Sequence, residues 1–116
     1  MKISEVVSLL NAKVHCGGDQ LDREVHSACG CDLMSDVLAY IKDQSMLLTG
    51  LVNPQVIRTA EMMDMSCVIL VRGKQPTEEI VELAEEKDII LLSTPIKMFS
   101  ACGILYHSGL MDGGEC

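Results

Sequence analysis

Three short stretches of this sequence place reactive or charged side chains close enough together to do chemistry. The first is Cys29-Gly30-Cys31. Two thiols two positions apart can share a soft metal or cycle as a redox pair. His15, Cys16 and His26 lie nearby in sequence, so pairing of the two segments would add Cys16 to a three-thiol set. Zinc ligands are usually separated by roughly two to four residues, and two buried thiols beside a turn can equally be small core hydrophobes. The second stretch holds Asp32 and Asp36, one helical turn apart. Such a pair can chelate a cation or act as acid and base, but acids also gather at helix starts because of the dipole. The third is Arg72-Gly73-Lys74, which follows an apolar run. It can hold a phosphate or carboxylate, or it can be a solvated turn. His15, His26 and His107 have no Ser or Cys partner at a diagnostic spacing. The sequence has neither a Walker A pattern nor a Gly-x-Gly-x-x-Gly, so classical nucleotide hydrolysis is disfavoured and no cofactor is expected.

These residues must be positioned by elements that can be read from the sequence. Ser4 to Leu10 reads as a short helix capped by Ser4, and Ala12 to Cys16 as a strand stopped by Gly17-Gly18. A second strand is predicted over about Arg23 to Ala28, broken by Cys29-Gly30-Cys31. Leu33, Val37 and Ile41 recur at helical spacing, with Asp32 as the cap and Ser35 in the first turn. Three strand–helix units follow. Met46 to Thr49 is an apolar strand, and Asn53-Pro54 opens a helix running to about Met65. Cys67 to Val71 is an unbroken apolar strand, followed by a helix that Thr77 caps and that presents Glu78, Glu79, Glu82, Glu85 and Glu86 to water. Ile89 to Leu92 is the last strand, with a helix from about Lys97 to Tyr106 or His107. Strands buried on both faces imply parallel pairing, and crossovers of this kind are right-handed. The expected fold is therefore α/β in three layers, a mostly parallel sheet of about five strands with helices on both faces. One domain spans residues 1–108, and 109–116 reads as a flexible Gly-rich tail.

Ligands in open α/β sheets bind beyond the carboxyl ends of the strands. Here those ends are Thr49-Gly50, Arg72-Gly73-Lys74 and Ser93-Thr94, which together offer hydroxyls, amides and two positive charges. Asp32 and Ser35, at the start of the second helix, complete the candidate set.

Composition bounds the partners. The chain has 116 residues, 17 acids against nine Lys and Arg, and a net charge of −8. Phosphate backbones and anionic membranes demand clustered basic residues, so neither nucleic acid nor membrane is expected as a partner. One Phe, two Tyr and no Trp leave an aliphatic core supplemented by eight Met. Glu5 stands where the apolar core of a signal peptide would begin, and no apolar run reaches the roughly 20 residues a membrane span needs. A cytoplasmic location with reduced thiols is the expectation.

Four segments, in order, resemble the DRTGG domain family: Leu21-Asp22-Arg23-Glu24-Val25, Asp32-Leu33-Met34-Ser35-Asp36-Val37-Leu38-Ala39, Val71-Arg72-Gly73-Lys74-Gln75-Pro76-Thr77-Glu78-Glu79 and Ile90-Leu91-Leu92-Ser93-Thr94-Pro95. Of the contiguous string that names the family, only Asp22-Arg23 stands. The resemblance implies a fold similar to the N-terminal domain of HPr kinase/phosphorylase. It also implies a regulatory, often dimeric module that is not an enzyme, found beside CBS domains in pyrophosphatases, in phosphotransacetylases, and as small stand-alone bacterial proteins. This chain is expected to be of the stand-alone kind.

The leading expectation is a non-catalytic regulatory domain, homodimeric, sensing a small anionic metabolite or nucleotide, with Glu61-Met62-Met63-Asp64-Met65 contributing to an interface. The alternative is a thiol-based metal or redox protein using Cys29 and Cys31 with Cys16. A third reading is an enzyme using Asp32, Asp36 or Lys74.

Overall fold

The computed structural model describes residues 1–40 and 46–111. Ile41, read as part of the second helix, and residues 112–116 lie outside the described residues. The elements run α1 (Ile3–Leu10), β1 (Lys13–Cys16), β2 (Ala28–Gly30), α2 (Met34–Tyr40), β3 (Met46–Thr49), α3 (Pro54–Met62), β4 (Cys67–Leu70), α4 (Glu78–Glu86), β5 (Ile90–Ser93) and α5 (Met98–His107). The sheet has five strands in the order β1-β5-β4-β3-β2. β2 to β5 are parallel neighbours, and β1 joins the far edge antiparallel to β5.

The strand order decides which helices share a face. From β2 to β5 each strand lies beside the one before it, so every crossover steps in the same direction. Right-handed crossovers then put α2, α3 and α4 on one face. The core divides accordingly. Met34, Val37, Val56, Ile57, Ala60, Ile80 and Ala84 from those helices pack on Leu47, Val68, Leu70 and Leu91. On the other face Ile3, Val6 and Leu10 of α1, with Ala101 and Leu105 of α5, pack on Met46, Leu48, Cys67, Ile69, Ile90 and Leu92. β3, β4 and β5 are buried at every position, which is why they read as unbroken apolar runs.

Four helices end in the same way, and the turns set where the next strand begins. Each passes through one residue in the left-handed region: Asn11, Asp64, Asp88 or Gly109. The following amide then reaches back to a carbonyl in the last turn, as in Ala12 to Val7, Met65 to Ala60, Ile89 to Ala84 and Leu110 to Leu105. This is the Schellman arrangement, with a buried apolar residue just past the stop in three of the four. At α3 and α4 the device shares a local sequence, Ala60-Glu61-Met62-Met63-Asp64-Met65 and Ala84-Glu85-Glu86-Lys87-Asp88-Ile89. The consecutive strand–helix units thus share a local stop signal as well as an architecture. It also ends α3 at Met62, where periodicity had extended it to about Met65.

Several other expectations shift. The N-cap of α1 is Lys2, whose amide donates to the Glu5 carboxylate at 3.1 Å; Ser4 lies inside the helix. The second strand is Ala28–Gly30, so Cys29 and Gly30 lie in the strand they were expected to break. A Cβ on Gly30 would lie 2.7 Å from Cys102 Sγ and 3.0 Å from Met98 Sδ of α5, so glycine lets helix and strand touch. Arg23 to Val25 instead pairs with the N-terminus. Ile3 N donates to Arg23 O, Val25 N to Met1 O at 2.8 Å, and the Met1 amine to Val25 O at 3.1 Å. Residues 109–111 are part of the fold and not a loose tail. Leu110 is buried, Met111 bridges Ser27, and Ala28 N donates to Met111 O at 3.0 Å. No helix among the described residues is long and apolar enough to cross a membrane.

Candidate functional site

The carboxyl ends of β3, β4 and β5 bring together the predicted set, but the side chains divide into two kinds. Thr49, Ser93 and Thr94 are buried and occupied internally. Thr49 Oγ1 donates to Asp32 Oδ1 at 3.0 Å and accepts from Leu51 N at 3.2 Å. Thr94 Oγ1 donates to Leu10 O at 2.6 Å and accepts from Ile96 N at 3.2 Å, tying the end of α1 to the loop after β5. Ser93 Oγ lies 2.7 Å from His15 Nε2 on β1. These hydroxyls satisfy buried backbone and side-chain groups. They hold the edge in shape and do not face solvent.

Asp32 was read as the cap of the second helix and as half of a carboxylate pair with Asp36 on one helical face. The structure places it two residues ahead of α2, and its Oδ1 accepts from Gly50 N at 2.7 Å as well as from Thr49. It therefore clamps the start of α2 to the end of β3, and the two acids do not form a one-face helical pair. Ser35 and Asp36 lie in the exposed first turn of α2.

Arg72, Gly73 and Lys74 are the exposed part of the edge. The loops after β4 and β5 leave toward opposite faces of the sheet, one to α4 and the other to α5. A crevice is expected at such a divergence. Here backbone bonds close it: Arg72 N donates to Ile96 O and Gly73 N to Thr94 O, each at 2.9 Å. Both residues have positive φ, +62° at Arg72 and +73° at Gly73. Glycine tolerates this freely, whereas a long side chain does so at a cost and marks a constrained position. The twist sends the Arg72 guanidinium sideways over Gly50 at the end of β3. A Cβ added to Gly50 would overlap that group, with Cζ 3.0 Å and Nε 3.1 Å away. Among the described residues the guanidinium has no ion-pair or hydrogen-bond partner. The one ion pair there joins Lys87 to Glu61 at 3.4 Å. An uncommitted guanidinium held against a glycine backbone presents a planar, multi-donor face suited to phosphate or carboxylate.

The thiols do not converge. Cys16 lies on β1, at the opposite edge of the sheet from β2 and Cys29. Cys29 and Cys31 share one face, and Cys31 Sγ donates to Leu33 O at 3.4 Å. Among the described residues no three His, Cys, Asp or Glu side chains gather in a metal-holding group. Burial pushes the Cys67 and Cys102 thiols up, and Cys16 is pushed up by burial together with Glu85, Asp88 and Asp19. All three are moved away from the reactive thiolate form.

The His15–Ser93 contact was not visible in the sequence, because it joins residues from opposite ends of the chain across the antiparallel β1–β5 edge. Burial, then the Lys13 charge, holds His15 below its ordinary pKa. The Met-rich stretch also resolves differently from expectation. Met65 is buried, Met63 is partly buried, and Met62 alone stands out, between the exposed Glu61 and Asp64.

The profile of the DRTGG domain matches residues 5–108. No curated protein matches the sequence. Among solved structures, the CBS and DRTGG domains of the regulatory region of a Clostridium perfringens pyrophosphatase, complexed with the activator diadenosine tetraphosphate, superpose with a TM-score of 0.75 at 18% identity. The match covers 99% of this chain and 50% of that one, so the chain spans about half the length of that regulatory region.

Proposed function

The chain belongs to the DRTGG domain family, and from that premise we propose that it is a non-catalytic regulatory module that senses a small anionic metabolite or nucleotide and works as a homodimer inside the cell. The observation that carries the ligand half is the Arg72 guanidinium, which lies over Gly50 from a left-handed backbone and is left without a protein partner among the described residues. In this reading Arg72, Gly73 and Lys74 receive the anion, with Gly50 and Ser35 at its border. Asp32, Thr49, Ser93 and Thr94 keep the edge rigid from beneath. The pyrophosphatase region that shares the fold was crystallised with a nucleotide activator, which makes nucleotides the first ligands to try.

The test is a thermal-shift panel of nucleotides and phosphorylated metabolites against the wild-type chain and an Arg72→Ala/Lys74→Ala variant. A ligand at about 100 times its Kd stabilises by about 2.7 kcal/mol, a rise of roughly 10 °C for a domain of this size. The double variant should fold normally and lose the shift. A shift retained in the variant moves the site elsewhere, and no shift with any anion defeats the sensing reading.

A further inference from the structure

The outward side of α5 carries two exposed aromatic rings. Phe99, the chain's single Phe, is 90% exposed, and Tyr106 is 65% exposed. The two stand seven positions apart, hence on one stripe of the helix, with Gly103 between them. The opposite side of α5 is committed to the core through Ala101 and Leu105. α5 is therefore apolar on both sides, which in a soluble fold signals a helix covered on both sides.

Gly103 requires a separate explanation. Glycine inside a helix is destabilising relative to alanine, yet a Cβ there would meet nothing within 4 Å, and its φ is not left-handed. Nothing within the described fold calls for the missing methyl. A body approaching α5 from outside would require it, because glycine lets a second backbone come close.

Charge permits that body to be a second copy of this acidic chain. The chain carries net charge −8 and 17 acids, yet none lies between Asp88 and Asp112, and α5 with its flanks holds only Lys97 and His107 as titratable cations. Two copies meeting through α4, with its five glutamates, would set acid against acid; through α5 they would not. The stripe is also self-complementary. Phe99 and Tyr106 flank Gly103 at similar distances along the helix, so a two-fold antiparallel crossing at Gly103 lays Phe99 of one copy beside Tyr106 of the other, as an isologous interface requires. Four such rings contribute at most roughly 600–1,000 Å², half or more of the roughly 1,200 Å² at which specific interfaces begin.

We propose that the Phe99–Gly103–Tyr106 face of α5 is a self-association surface on which a second copy of this chain crosses antiparallel over Gly103. The inference rests on the homodimer half of the reading above and names its surface.

Sedimentation equilibrium over a wide concentration range tests it on the wild-type chain and on Phe99→Asp and Gly103→Ala. Both sites are exposed, and circular dichroism checks that each variant is folded. Wild type should dimerise. Phe99→Asp should raise the dissociation constant by about 30-fold or more. Gly103→Ala should raise it about tenfold while raising the melting temperature of the dilute monomer, because the methyl helps the helix and obstructs only the crossing. A wild-type dimer left intact by Phe99→Asp overturns the surface and spares the homodimer reading. Loss on Phe99→Asp with no effect of Gly103→Ala overturns the crossing. A wild type that is monomeric throughout overturns the inference and the homodimer reading together, and leaves the anion panel to judge the ligand half. Phe99-dependent sedimentation of a monomer with phosphatidylcholine vesicles would assign the face to lipid and overturn the proposal.

Discussion

Gly50→Ala separates the proposed anion binding from the stability of the fold with a single methyl group. Gly50 is buried, but its φ lies outside the left-handed region, so alanine can adopt its backbone. The three atoms nearest to the added Cβ all belong to the Arg72 guanidinium, the movable end of a long exposed side chain. The fold can therefore accept the methyl by letting the guanidinium swing away. Replacing glycine where the conformation is compatible stabilises by about 0.4–1 kcal/mol through the unfolded state. Displacing Arg72 offsets part of this, so the net change should stay within about 1 kcal/mol, or roughly 4 °C. Binding should respond differently. Hydrogen bonds to a charged group contribute about 1.5–3 kcal/mol, so moving the guanidinium should weaken an anion by about 10- to 100-fold. The assay is calorimetric titration of the best ligand from the panel against wild type, Gly50→Ala and Arg72→Ala, with melting curves of the free proteins. Wild-type affinity in Gly50→Ala, alongside weak binding in Arg72→Ala, would refute the argument that the guanidinium acts from its place over Gly50. A large drop in the melting temperature of free Gly50→Ala would refute the claim that only a movable side chain stands in the way.

Asp32→Ala should lower stability by about 2–4 kcal/mol, read as a urea midpoint, because it strips a charged acceptor from the buried Thr49 hydroxyl and the Gly50 amide; Asp32→Asn, which keeps an acceptor oxygen, should lose far less, and equal losses would show that the clamp works through charge alone. His15 is held below its ordinary pKa by burial first and by Lys13 second, so the unfolded chain binds its proton more readily: the stability it contributes is complete above pH 6.5 and declines as pH falls through its lowered folded value. His15→Gln, which cannot protonate but retains an amide toward Ser93, should show a flatter stability curve between about pH 7 and 5, and a curve as steep as wild type would remove His15 from the acid response.

The elements that were legible in the sequence are those whose burial is complete or whose caps are local. β3 lies where the apolar run placed it, and the Asn53 and Thr77 caps donate nothing that sequence order could disguise: their side chains accept from Gln55 N and Ile80 N as the spacing suggests. The second strand was misplaced because its identity depends on partners far away in sequence. Arg23 to Val25 has the bridging of a strand but is taken by the N-terminus, while Gly30 looks like a breaker until α5 is packed against it. The candidate site was legible as a set of positions and not as a set of roles. Sequence put Thr49, Arg72, Lys74, Ser93 and Thr94 on one edge. Only the structure shows that the hydroxyls turn inward and that Asp32 leaves its expected cap for Gly50. The distant partners of Thr94 and Ser93, Leu10 and His15, have no signal in local spacing at all.

The pairing of Met1 with Val25 and of Met111 with Ala28 brings two stretches from opposite ends of the sequence side by side. Three residues of extended chain separate those two contacts, about 10 Å. Ala28 opens β2, so this pair of contacts stands at the amino ends of the parallel strands, and the Arg72 turn stands at their carboxyl ends. The domain thus has two poles. Met1 and Met111 stand together at one corner, and the turn proposed to receive an anion stands at the other. A message between them must run the length of the strands, through side chains buried on both faces of the sheet.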